Sequence, residues 1–436
     1  MRMQLTSKRI GASLAAAACS LLGTVPDAVR AEEPASNDWT LDSALLYYGE
    51  NQGRVKDGSA LFSLAHTVNE DRKFELGLTL DTLTGASPTG AVTSDRVQTF
   101  TRPSGRGSYN VAPGATPLDN TFHDTRLGVS GNYTMAVGAA SRLQGGLDAS
   151  VEYDYKHVGA NMRFESDFNQ KNTTFFGAAA FGEDSINPVG GVPVAFSAMR
   201  PAGVTPNRSG STKSKQVVDV LLGGSQILTR RALLNVALSY GDASGYLTDP
   251  YKLLSVVDPV TGAPVASPTD SSIGYYRYEK RPDHRSKESL FTEFRYALDR
   301  DSLAVNYRFM TDDWGVHSHT IEGRYHWNLS AQSSLEPQLR YYTQSAARFY
   351  RTLLVSGEPL PDYVSADSRL AKLNSWTLGT KYVWRSGNGP EYSIRAEYYK
   401  QRADSSPGSR IGVLDSYNLV PSLSAVVVQV GVKLAF

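Results

Sequence analysis

The chain has 436 residues, 44 basic and 43 acidic side chains and a formal net charge of +1. That balance excludes the strong basic excess of a nucleic-acid binder. A single cysteine, Cys19, excludes a disulfide framework, and no later segment is apolar enough for a membrane helix.

The N-terminus reads as a secretory signal over residues 1–31. Arg2, Lys8 and Arg9 form a positive start, Ile10 to Val25 is apolar or small, Pro26 breaks the helix, and Val29-Arg30-Ala31 offers a small-residue cleavage site. The alternative is a lipoprotein cut before Cys19, since Ala16-Ala17-Ala18-Cys19 is a loose lipobox. It leaves an apolar region of only about six residues, below the usual range. Cleavage after Ala31 removes Arg2, Lys8, Arg9 and Arg30 against Asp27, giving −2 and a chain without a thiol. Residues 32–436 then read as one domain, since no domain boundary is visible along them.

From there the sequence alternates. Phe74, Leu76, Leu78 and Leu80 oppose Glu75, Gly77, Thr79 and Asp81. Leu303, Val305, Tyr307 and Phe309 oppose Ser302, Ala304, Asn306 and Arg308. The pattern returns from Ile321 to Leu329, Leu335 to Tyr341, Trp376 to Trp384 and Tyr392 to Tyr398. The last strand runs Val426, Val428, Val430, Val432, Leu434, Phe436, with small or polar residues between. Successive strand side chains point to opposite faces, so each segment has one greasy and one hydrophilic side. A dozen such residues suffice to cross a bilayer at a tilt, and a terminal aromatic at the membrane edge suits an outer-membrane barrel. The abundant tyrosines favour the same interface.

The connections alternate in length. Tight polar turns fall at 69–72, 135–141, 169–172, 229–231, 299–301, 330–333 and 386–390. Longer connections fall at 49–57, 82–122, 182–212, 241–285, 311–317, 346–371 and 403–423, with a short one near 154–157. Short periplasmic turns and long external loops predict an all-β, antiparallel up-and-down transmembrane barrel of about 16 strands. Residues 82–122, rich in Gly, Pro, Ser and Thr, are expected to be mobile or to fold inward.

Five local motifs carry a resemblance. They are Tyr48-x-Glu50-x-x-x-Arg54-Val55, the run Asp81 to Pro88, the run Gly245 to Lys252, Arg281-Pro282-x-x-Arg285, and the segment from Tyr307-Arg308 through Asp312-Asp313-Trp314-Gly315 to Ser318-His319-Thr320. Together they resemble the uncharacterised bacterial family numbered 3570 among domains of unknown function, from about Trp39 to Phe436. The resemblance implies a predicted outer-membrane barrel and supplies no reaction.

The phase of the alternation points Glu75, Glu293, Arg295, Arg308, Glu322, Arg324, Glu336, Arg340, Lys381, Arg395, Glu397 and Lys433 into the lumen. They read either as a polar channel lining or as cross-strand ion pairs that stiffen a filled barrel. Asp81, Ser87, Asp249, Arg281 and Arg285 lie where strands meet long loops, as an external-mouth site or as loop-fixing groups. Asp312, Asp313, His317 and His319 are weak metal candidates beside solvated turn residues. No nucleophile elbow, paired metal motif or phosphate loop is visible, so no catalytic residue and no cofactor are assigned. The sequence therefore predicts a passive channel or solute-transport pore in a Gram-negative outer membrane. Its partners would be membrane lipid, small solutes and an insertion machinery that reads the strand ending at Phe436. A receptor- or adhesin-like barrel and an enzyme at the external rim are the alternatives.

Overall fold

A computed structural model describes residues 38–69, 72–268, 270–387, 389–404, 411–420 and 422–436. The expected leader over residues 1–31, with Cys19, lies outside the described residues. Among these, sixteen long strands close into one barrel. They are β1 (Asp38–Glu50), β2 (Lys56–Asn69), β3 (Arg72–Pro88), β4 (Leu118–Ala136), β5 (Ser141–Val151), β6 (Tyr155–Phe168), β7 (Thr173–Ile186) and β8 (Lys213–Thr229). The second half comprises β9 (Ala232–Gly245), β10 (His284–Ala297), β11 (Ser302–Asp312), β12 (His317–Asn328), β13 (Ser333–Gln344), β14 (Leu373–Arg385), β15 (Glu391–Ala403) and β16 (Leu423–Ala435). Each pairs antiparallel with its sequence neighbours, and β16 returns to β1. At the seam the Trp39 amide donates to the Phe436 carbonyl at 2.8 Å, and the Phe436 amide donates back at 2.9 Å. No helix among the described residues is long and apolar enough to cross a membrane.

The alternation sorts the two faces. Leu76, Leu222, Leu238 and Leu378 stand 58–64% exposed within a fully paired sheet. In water that would be an error of patterning; in hydrocarbon it is the required surface. Aromatics collect at both edges of this apolar band. Near the short turns Trp39 stacks on His66 at 4.2 Å, Phe74 meets Tyr133 at 4.5 Å, and Tyr382, Trp384 and Tyr392 form a row. Near the long loops Tyr341 meets Trp376 at 4.4 Å. Trp376 and Trp384 sit on one strand, about 27 Å apart along it and so roughly 20 Å apart in height at the usual barrel tilt.

Directly opposed residues share a face, which fixes the inner wall. Glu322 lies opposite Arg340, Arg340 opposite Thr377, Thr377 opposite Tyr399, Tyr399 opposite Ala425, and Ala425 opposite Glu50. This ring is polar or small, while the residues flanking it, Leu339, Leu378, Tyr398 and Val426, face outward.

Several strands outrun their sequence signal. β3 continues to Pro88 and β4 begins at Leu118, inside the stretch expected to be loop; β9 runs to Gly245. Above the bilayer no apolar face is needed, yet ladder hydrogen bonds still satisfy the backbone, so pairing continues after the alternation fades.

The external connections then fold together into a cap. Gln98–Thr101 pairs with Ser108–Val111, and Leu253–Val257 pairs with Tyr276–Tyr278 on one side and Leu354–Val355 on the other. The 89–117 segment thus folds into this cap. One apolar cluster gathers Phe100, Val111, Met199, Leu253 and Tyr276; a second gathers Leu254, Val256, Leu354, Val364 and Ala366. A third joins Leu247, Trp314, Tyr350 and Leu370 to Val217 and Ala243 of the inner wall, which seats the cap on the mouth.

The two faces predict different tolerances. Leu78→Lys, on the lipid face, is expected to destabilise the barrel by about 2–4 kcal/mol in urea titrations from lipid. Thr79→Lys, one residue on and lumen-facing, should cost less than about 1 kcal/mol.

Candidate functional site at the barrel mouth

The five motif segments meet at one end of the cylinder. Two glycines allow this. Gly85 in β3 has φ +125, and a Cβ there would come within 2.3 Å of the Arg54 carbonyl oxygen. Gly245 at the end of β9 has φ +107, and a Cβ would lie 2.5 Å from the Ser214 carbonyl. Both need a residue without a side chain for backbone conformation and for space. Beside Gly85, Glu50 anchors its own hairpin: Tyr48 Oη donates to it at 2.9 Å, Val55 N at 3.3 Å, and Arg54 Nε lies 3.4 Å away.

Beyond Gly245 the chain crosses the mouth and touches it at three places. Asp249 pairs with Arg369 at 3.0 Å, the Tyr251 hydroxyl donates to Asp154, and the Lys252 ammonium donates to the Pro88 carbonyl. The Tyr251 oxygen also accepts from Val189 N at 2.8 Å. Behind the crossing lies a buried ionic cluster. Arg281 lies 2.6 Å from Glu279 and 2.8 Å from Asp367, Arg369 also holds Asp367, and Ser365 donates to Glu279. Glu279 is 1% exposed and Asp367 2%.

Carboxylates Asp249, Glu279 and Asp367 face cations Lys252, Arg281 and Arg369, so the cluster is balanced within itself. Burial alone would raise the Asp367 carboxyl, but Arg369, Arg281 and Lys252 override it and hold that carboxyl well below the usual carboxylate range. Asp249 is lowered against the same burial by Lys252, Arg369 and Arg281. Burial pulls the Lys252 ammonium down despite Asp367 and Asp249.

A cavity of about 330 Å³ lies between this crossing and the wall strands. Arg102, Ser104 and the 76%-exposed Tyr153 line its outer side; Glu50, Asp124 and Gln401 line it from the inner wall. Asp124, Glu152 and Asp154 each bring one oxygen within 4.8 Å of the others, a donor set of the hard, oxygen-only kind that suits Ca²⁺ or Mg²⁺. Asp124 also caps backbone, accepting from Thr125 N at 2.9 Å.

The structure distributes the residues singled out from sequence. The twelve lumen candidates lie on the inner face, several in chains of ion pairs such as Arg295–Glu293–Arg324–Glu322. Ser87 and Asp249 line the cavity, and Arg281 stands behind it in the ionic cluster. Asp81 pairs with Arg126 on the inner wall, and Arg285 pairs with Asp312 while lying 4.4 Å over the Trp314 ring. Asp312, Asp313, His317 and His319 are not brought together. Asp312 turns inward to Arg285, Asp313 contacts His284 at 3.1 Å, and His317 and His319 bond Thr311 and Tyr307 on the outer face.

Sequence reading missed Asp124, Glu152, Asp154, Asp367 and Arg369. It also missed His157, bridged to Asp148 at 2.8 Å and Asp184 at 2.7 Å, with Lys215 2.7 Å from Asp184. Asp249 and Arg369 lie 120 positions apart, and no spacing rule reaches that far. Tyr251 and Lys252 had a signal, as did Glu50, Arg54 and Pro88, each being part of a quoted motif.

The profile of a family described as "Protein of unknown function (DUF3570)" matches residues 11–434. The chain belongs to the DUF3570 family. No curated protein matches it in sequence. Solved structures similar to this DUF3570 barrel include the siderophore receptor PirA from Acinetobacter baumannii, at 8% identity and TM-score 0.40, covering 85% of this chain and 54% of that one. The chain thus spans about half the length of that receptor. A variant of OccD1 (OprD) is 10% identical over 93% of this chain and 98% of its own, with TM-score 0.41. The outer membrane protein opdK from Pseudomonas aeruginosa is 8% identical over 92% and 99%, with TM-score 0.38. These likenesses decide nothing about solute or partner.

Removing one member of a buried ion pair leaves its partner uncompensated, at a cost of about 3–5 kcal/mol. Arg281→Met is therefore expected to loosen the cap, seen as faster hydrogen exchange over residues 246–283, while the barrel keeps its heat-modifiable migration. The depressed carboxyls Asp249 and Asp367 contribute stabilisation that is complete at neutral pH and is lost only as pH falls through their folded values, while Glu279, raised by burial, acts in the opposite sense. Protection in this segment, taken relative to the intrinsic exchange rate at each pH, should fall only below about pH 4, the ordinary carboxylate value. A loss of protection already at pH 6 would contradict this account.

Proposed function

We propose that this DUF3570 chain is a passive channel or solute-transport pore of the bacterial outer membrane, exported by the leader over residues 1–31. The observation that carries this reading is the gradient along the inner wall. On β1, inward-facing Asp42 near the short turns is exposed, as is Lys433 directly opposite it on β16; inward-facing Glu50 at the mouth is buried. Charged side chains exposed on the inside of a closed cylinder require water there. Sixteen strands make a barrel wide enough for an aqueous channel. The interior charges carry both signs, so the pore passes small polar solutes without strong ion selectivity.

The cap supports a second reading. It has apolar clusters of its own and a balanced ionic cluster, as an interaction surface would need. In that case the barrel is a non-conducting receptor- or adhesin-like platform. Neither His317 nor His319 gives a rim enzyme support, because both turn to the outer face. Membrane lipid and an insertion machinery that engages the strand ending at Phe436 are the partners expected in either case.

Planar-bilayer recording on the purified, refolded full-length barrel tests the choice. A pore gives stable, reproducible conductance steps. A correctly folded barrel that stays silent favours the interaction reading.

A further inference from the structure

We infer that solutes enter this barrel off its axis, through the cavity between the 245–252 crossing and the wall. The inference rests on the pore reading and specifies its route. The cap closes much of the mouth: its apolar clusters join connections 89–117, 246–283 and 345–372 to one another and to inner-wall residues Val217 and Ala243. Water-exposed charge persists lower down the same wall at Asp42 and Lys433. A path between the outside and that region must pass where the cap and the wall part.

The cavity lies at that parting and is lined from both sides of it. Its outer lining includes the exposed residues Arg102, Ser104 and Tyr153, and its inner lining includes Glu50, Asp124 and Gln401, all of which point into the barrel. Tyr251 and Lys252 narrow it by reaching to Asp154 and to the Pro88 carbonyl, on different parts of the wall. About 330 Å³ suits a small polar molecule.

Cysteine scanning in the full chain tests the route, in a Cys19→Ser background. Ser87→Cys and Ser368→Cys place a thiol in the cavity; Ser416→Cys places one on an exposed cap segment that does not line it. Each variant's current is compared before and after a trimethylammonium-ethyl methanethiosulfonate, with labelling read by mass. The current through the two cavity variants should fall about twofold or more, and that through Ser416→Cys should not change. Complete labelling without loss of current, or cavity thiols the reagent never reaches, overturns the route while leaving the pore intact. A folded barrel with no current at all removes the pore reading and the route with it.

Discussion

Everything in this molecule depends on pairing every backbone amide and carbonyl that meets hydrocarbon. In a bilayer an unpaired peptide group costs several kcal/mol, so a sheet can persist there only without an edge. The seam between β1 and β16 supplies that closure, down to the reciprocal hydrogen bonds of Trp39 and Phe436. Once the ring is sealed, the two-residue period of a strand does the rest. One set of side chains must meet lipid and the other must meet whatever the cylinder encloses. The outward leucines and the inward ion pairs are two consequences of one geometry.

The mouth obeys a different constraint. Above the bilayer the backbone can bond to water, so connections are free to leave the barrel, and most here are long. They gain order by burying apolar clusters, and they pin their crossing with charges. Asp249, Lys252, Glu279, Arg281, Asp367 and Arg369 are largely withdrawn from water, which is costly unless every charge is met. Here each is met, within a group that ties the connection after β9 to the one after β13. The cavity lies beside that crossing, which is tied to the wall at Pro88 and Asp154.

The fold was legible in the chain because the signals that specify it are local. Alternation from Phe74 to Leu80 or from Val426 to Phe436 is a property of adjacent residues, and the short-long rhythm of turns needs no knowledge of contacts. The motif containing Gly245 and Lys252 could be singled out in the same way, as could Asp249 and Arg281. Their partners could not. Asp154 meets Tyr251 from 97 positions away and Arg369 meets Asp249 from 120. The alternation also faded too early, at Asp81 rather than Pro88, because it records contact with lipid and not the ladder itself.

The amino-acid sequence by itself determined a two-faced strand repeated around a closed cylinder, its orientation toward lipid, and the end from which long connections emerge. These follow from periodicity and composition, which are written residue by residue. Only the tertiary structure decided that the connections fold into a cap, that an ionic cluster pins one of them across the mouth, and that a cavity remains beside it. The reason is physical: those features come from contacts between segments far apart along the chain, and neither their distance nor their geometry is encoded in any local pattern.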